Sequence, residues 1–100
     1  MCMEVRQTKV FTEWFTKLKD KTAKYAIGQR IMRISKGNFG DSKSVGDNVY
    51  ELRIDVSKGY RVYFMNKNGE IILLLVGGDK STQQRDIAKA KEMVKEDAKC

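Results

Sequence analysis

The sequence has no histidine and no proline, and only two cysteines. Without histidine there is no Ser-His-Asp or Cys-His triad, no imidazole general base and no His-bearing metal site. Cys2 and Cys100 stand at the two ends of the chain. They have neither metal-ligand spacing nor the pattern of a disulfide framework, so free thiols in a reducing cytoplasm are expected. Proline-rich linkers, repeats and low-complexity tracts are absent, and 100 residues suit one domain, 1–100. No charged-then-apolar N-terminus reads as a signal peptide. No apolar run approaches the roughly 20 residues that span a bilayer. The expectation is a cytoplasmic protein with no membrane segment, no metal and no small-molecule cofactor.

What is present is basic charge. The chain has 20 Lys/Arg against 13 Asp/Glu, a net charge of +7. Residues 1–46 carry ten basic and four acidic side chains, whereas residues 47–100 carry ten and nine. This bias favours a polyanion or an acidic protein as partner; solvated helix faces are the plain alternative. Apolar content of 41 % and runs such as IILLLV exclude a disordered chain.

Periodicity divides the chain. Met3–Thr8 alternates as a strand does. Thr8 can cap a helix whose Val10, Phe11, Trp14, Phe15 and Leu18 form one stripe. Asp20 can cap a second, with Ala23, Ala26, Ile27, Arg30, Ile31 and Ile34, ending near Gly37. Lys17, Lys19, Lys21, Lys24, Arg30, Arg33 and Lys36 give this hairpin a basic exterior. A loop from Asn38 holds one short strand around Lys43–Val45. Val49–Asp55 and Tyr60–Met65 read as strands joined at Ser57–Gly59, and NKNG, Asn66–Gly69, is a second hairpin turn. Glu70–Val76 is apolar on both faces, as a central covered strand would be, and Gly77-Gly78 should break it. Ser81 or Thr82 can cap a last helix bearing Ile87, Ala90 and Val94. The order β-α-α-β-β-β-β-α gives an α+β class, a small, mostly antiparallel sheet packed against helices.

Strand alternation then separates two sets of side chains. Tyr50, Leu52, Ile54, Tyr60, Val62 and Phe64 should face the helices. Glu51, Arg53, Arg61 and Tyr63 should share the uncovered face, within cross-strand reach. They fit an ordinary Arg–Glu pairing or a surface that holds an anion; the planar fork of arginine suits phosphate. GGDKSTQ, Gly77–Gln83, places Lys80 beside an expected helix N-terminus, where free amides and the helix dipole favour an anion. It lacks the GxxxxGK[ST] spacing of a Walker loop.

Five motifs in order carry a family resemblance. They are Trp-x-x-x-Leu-x-Asp at Trp14–Asp20, Arg-Ile-x-Arg at Arg30–Arg33, GNxGD at Gly37–Asp41, ELRI with GYRVYF, and GGDKSTQxxDI. From about Thr8 to Lys91 the sequence resembles the RelE/HigB toxins, in the branch called addiction-module killer protein. That resemblance implies a RelE-like fold and a type II toxin–antitoxin toxin. It further implies a metal-independent mRNA endoribonuclease, dependent on the ribosome, that inhibits translation. The RNA 2′-OH would attack its own 3′ phosphate, and a cognate antitoxin, helix-turn-helix or acidic, would neutralise the toxin. Carried onto this sequence, Arg53 and Arg61 grip the scissile phosphate or its developing charge. Lys80 binds phosphate or protonates the leaving oxygen, and Lys43 contacts the RNA backbone. Tyr63 stacks on a base or orients the phosphate, with Gln83 and Arg33 as further RNA contacts. Glu51 is either the general base or the partner of an arginine. Some relatives use His or a C-terminal Tyr as acid or base; this chain has neither, so those roles stay open. A non-catalytic host-inhibition or antitoxin-binding protein of the same fold is the alternative.

Overall fold

The structure, a computed structural model, describes residues 3–98; Cys2 and Cys100 lie outside them. Strand β1 (Glu4–Gln7) leads into helix α1 (Lys9–Lys17). Thr8 sets the junction: its Oγ1 accepts the Phe11 amide at 3.1 Å and donates to the Leu75 carbonyl at 2.7 Å. Helix α2 (Lys21–Ser35) is capped by Asp20, whose Oδ1 accepts the Ala23 amide at 3.0 Å. That bond, followed by one from Ser57, holds the Asp20 carboxyl below the usual carboxylate range. At the other end Gly37 takes φ +87°. The Gly37 and Asn38 amides then close on the Ile34 and Arg33 carbonyls, a Schellman ending.

Strands β2 (Ser42–Gly46), β3 (Val49–Ile54), β4 (Tyr60–Lys67) and β5 (Ile71–Asp79) follow. With β1 they form one sheet in the order β1-β5-β4-β3-β2. Every pairing is antiparallel except β1 with β5. The expected α+β architecture is therefore the observed one. At the β4–β5 turn Asn68 and Gly69 both have positive φ, as NKNG requires, and Asn66 Oδ1 accepts the Gly69 amide at 2.9 Å.

Helices α1 and α2 cover one face of the sheet. Phe11, Ile27 and Ile34 pack there on Leu52, Val62, Phe64, Ile72 and Leu74. Each such side chain contributes about 1.5–3 kcal/mol by leaving water. Helix α3 (Gln83–Ala98) covers the other face. Ala90, Ile87 and Val94 meet Val49, Tyr63, Met65, Leu75 and Val76 there. Leu75 is an extra residue opposite the Tyr63–Phe64 step, so it and Val76 both join the α3 side. Among the described residues no helix is long and apolar enough to cross a membrane.

Two expectations are corrected here. Gly77-Gly78 does not end β5, which runs on to Asp79 with Gly77 opposite Val62 and Gly78 opposite Arg61. The glycines instead permit close approach. A Cβ on Gly77 would fall within the Trp14 ring, and one on Gly78 would meet the Asp86 carboxylate and Thr82 Oγ1. Nor do Ser81 and Thr82 cap α3. A short 3-10 turn, Lys80–Thr82, precedes that helix and is capped by Asp79, whose side chain accepts the Ser81 amide.

Gly77→Ala should accordingly destabilise the fold by about 1–3 kcal/mol, the usual cost of overpacking a filled space. Urea unfolding followed by Trp14 emission measures it. An unchanged midpoint would mean that the indole is not seated on Gly77.

Candidate functional site

The β3–β4 hairpin pairs Glu51 with Tyr63 and Arg53 with Arg61. These four therefore share a sheet face, as the alternation requires. That face is not uncovered. Val49, Met65, Leu75 and Val76 make it too apolar to stand in water, and the stripe of α3 closes over it. Glu51 and Tyr63 are fully buried as a result.

A buried carboxylate must be met by donors. Glu51 Oε2 accepts the Tyr63 hydroxyl at 3.0 Å and Gln83 Nε2 at 2.7 Å. Arg61 Nε stands 3.7 Å from the same oxygen. Oε1 has no hydrogen-bond partner among the described residues and lies 3.9 Å from Lys43 Nζ. Burial, with the Glu51 charge beside it, pushes the Tyr63 hydroxyl well above its ordinary pKa. The cations lie outward of this centre. Lys43 is exposed, and the Arg61 side chain is 13 % exposed. Arg61 Nη1 donates to the Gly59 carbonyl at 3.2 Å. Gly59 also borders Lys80, so Arg61 and Lys80 flank one backbone turn. The cluster joins β2, β3, β4, the 3-10 turn and the start of α3 in a buried acid ringed by surface cations. Among the described residues no group of three or more His, Cys, Asp or Glu side chains could hold a metal ion.

A family model described as "Phage derived protein Gp49-like (DUF891)" matches residues 13–95. The chain belongs to the Gp49-like family. A relative from Haemophilus influenzae (strain KW20 / Rd), described as an uncharacterized protein, is 51 % identical over 96 residues, 96 % of this chain and 97 % of that one. The fold is that of RelE. It matches the free state of a double mutant of the E. coli toxin RelE with a TM-score of 0.77 at 14 % identity, covering 93 % of this chain and 98 % of the other. The intact E. coli RelBE toxin–antitoxin complex matches with a TM-score of 0.60 at 13 % identity, covering 77 % and 95 %.

Within this Gp49-like chain the sequence-read residues divide. Glu51, Arg61, Tyr63, Gln83 and Lys43 meet directly, and Lys80 lies beside them. Arg53 is opposite Arg61 in register, but its fork is held by Asp41 Oδ1, at 3.2 Å from Nε and 2.9 Å from Nη2. That hydrogen bond raises the pKa of its guanidinium. Arg33 is exposed on α2, across the sheet from the Glu51 cluster. Lys80 does not stand at the N-terminus of α3, and the amide after it is occupied by Asp79.

Other residues carry weight that the sequence reading did not give them. Arg30 belongs not to the basic exterior but to a brace, donating to the carbonyls of Arg53 (2.6 Å), Phe39 (3.3 Å) and Asp41 (3.2 Å). Its signal was its place in the apolar stripe of α2. Asp86 is buried and accepts Thr82 Oγ1 at 2.6 Å. No periodicity marked it, since helical polar residues are usually exposed.

Glu51→Ala should cost about 3–5 kcal/mol, since it strands Arg61 beside a cavity and leaves two buried donors without an acceptor. Equilibrium urea unfolding measures this, and a loss below 1 kcal/mol would remove Glu51 from the centre of the cluster. The raised Tyr63 pKa gives a pH prediction. The folded state keeps this proton when the unfolded chain has lost it, so stability is full below the ordinary value of 10.0 and falls as pH rises above it. Tyr63→Phe should flatten that alkaline slope in urea midpoints taken above pH 9. Identical slopes for both proteins would refute the coupling.

Proposed function

We propose that this chain is the toxin of a toxin–antitoxin pair and an mRNA endoribonuclease that acts without a metal ion. The observation that carries the reading is the cationic rim, Arg61, Lys43 and Lys80, whose three charges outweigh the one buried carboxylate they surround. Family membership and the RelE fold support it. The RelBE complex, in which a protein of this fold sits with its antitoxin, supports a protein partner that neutralises the chain. Cleavage takes place on the ribosome in this reading, and translation stops as message is lost.

The chemistry needs little from the protein beyond placement and charge. The RNA 2′-oxygen attacks the adjacent phosphorus, the bond to the 5′-oxygen breaks, and a 2′,3′-cyclic phosphate and a 5′-hydroxyl result. The 2′-hydroxyl gives its proton to solvent water, and the leaving oxygen takes one up. Arg61 binds the non-bridging oxygens as negative charge grows. Lys80, across Gly59 from it, supplies the proton or the charge at the leaving oxygen. Lys43 holds the backbone on the β2 side. Arg53 sits next in register and reaches the phosphate only by sharing its fork with Asp41.

Glu51 has no exposed surface to offer a 2′-hydroxyl. Its part is to position Arg61 and Lys43 from beneath. Tyr63 has none for a base and holds Glu51 instead, as does Gln83. Arg33 touches RNA or ribosome only away from the scissile step.

Brief induction of the chain followed by mapping of mRNA 5′ ends tests this. New ends bearing 5′-hydroxyls should appear within minutes. Arg61→Ala should reduce them about 100-fold, the scale for losing one preorganised charge partner, and relieve growth arrest. A folded Arg61→Ala protein that cleaves normally would refute the site. Growth arrest with unchanged 5′ ends would favour a non-catalytic inhibitor.

A further inference from the structure

A cleft of about 460 Å³ lies between the end of α1 and the β3–β4 turn. Trp14 and Tyr60 line it, with ring centroids 6.3 Å apart. Trp14 is half-buried and fixed in place. Phe11 packs against it at 5.8 Å, and Gly77 leaves room for the indole against the sheet. Around these rings stand Lys17, Lys19 and Lys58, all exposed. Lys58 also borders an adjoining hollow of about 560 Å³ that contains Lys80.

The cleft and the hollow beside it are net basic, with Lys17, Lys19, Lys58 and Lys80 against Asp20 and Asp79, the latter in the field of Lys58. Among the described residues none of Lys17, Lys19, Lys58 and Lys80 forms a salt bridge. The two nearby acids are engaged locally. Asp20 caps α2 and accepts the Tyr60 hydroxyl at 3.4 Å, and Asp79 holds Ser81. Four lysines without a salt bridge beside a fixed aromatic pair is the chemistry that receives single-stranded nucleic acid: phosphates on the lysines, a base on the ring. An acidic peptide would use the lysines but would have no need of the indole. The cleft also continues the candidate site, because Lys58 precedes Gly59, which separates Lys80 from Arg61.

We propose that this cleft is a single-stranded RNA subsite, with a base against Trp14, flanking phosphates on Lys17, Lys19 and Lys58, and Lys80 at its junction with the scissile phosphate. It extends the nuclease reading to RNA beyond the scissile phosphate. It rests on that reading for the identity of the neighbouring site and not for binding itself.

Trp14 is the only tryptophan, so it reports on its own surroundings. The probe is a 2′-O-methyl RNA hexamer, which lacks the 2′-hydroxyl nucleophile and so cannot be cleaved by that route. Titrated into the full-length chain, it should quench Trp14 emission saturably. The logarithm of its binding constant should fall with the logarithm of salt at about −0.7 per phosphate held. Lys17→Glu with Lys19→Glu should weaken binding about 10-fold or more, whereas Lys89→Glu on α3 should not. Polyglutamate at equal charge should leave the emission unchanged. A fluorescein-labelled hexamer that binds by anisotropy without quenching Trp14 would overturn the subsite, and so would equal quenching by polyglutamate. Quenching retained in Arg61→Ala while mRNA cleavage is absent even in the wild-type chain would sink the nuclease reading and leave the subsite standing.

Discussion

The Glu51 carboxylate is fully buried, and the elements that meet it are arranged to answer it. Tyr63 does so from β4, Gln83 from the first turn of α3, and Arg61 and Lys43 from the two flanking strands. A buried charge of this kind adds little net stability, because desolvation offsets the attraction. What it adds is a penalty for every wrong arrangement. A slip of the β3–β4 register by one residue would carry Glu51 to the α2 side and leave it among Val62 and Phe64. A helix α3 docked one turn away would withdraw Gln83. The second buried acid, Asp86, lies near the start of the same helix and takes its hydroxyl partner from Thr82. Thus α3 is placed near its start by the Gln83–Glu51 bond and by Asp86 seated against Gly78, and held by its apolar stripe beyond them.

This placement decides what Arg61 can do. Its Nε lies toward Glu51, its Nη1 is tethered to the Gly59 carbonyl, and the side chain keeps a small opening to solvent. An arginine held from beneath by a carboxylate has already lost its rotamer freedom, so an anion arriving from outside need not supply that cost. The carboxylate also lowers the repulsion that would otherwise separate Arg61 from Lys43. Arg53 shows the contrast. Its fork is exposed and paired with Asp41 at the surface, a contact that water and salt weaken.

Most of the fold was legible in the sequence because its signals are local. Thr8 and Asp20 as caps, Gly37 as a helix stop, NKNG as a hairpin and the alternation of β3 and β4 each concern a few neighbouring residues. What was not legible depends on distant partners. The cover over Glu51 and Tyr63 comes from a helix about thirty residues away, whose stripe of Ile87, Ala90 and Val94 gives no sign of which sheet face it will take. Alternation correctly grouped Glu51, Arg53, Arg61 and Tyr63, but a charged residue in an alternating strand looks solvated unless its donors are known. The parallel pairing of β1 with β5 is likewise a property of the whole sheet.

The glycine pair shows how one local signal serves two opposite ends. Read along the chain, Gly77-Gly78 looks like punctuation. In the sheet, neighbouring strand residues point to opposite faces, so the two missing side chains open one space on each side. Gly77 gives its space to Trp14, which fixes α1 and makes an aromatic wall. Gly78 gives its space to Asp86, near the first turns of α3. Gly78 is also the register partner of Arg61, so no β5 side chain crowds the arginine on that face. The aromatic cleft and the buried-acid cluster thus meet at one pair of residues, back to back across a single strand. Any side chain added there displaces a helix from one face or the other, and with it the groups that the helix brings.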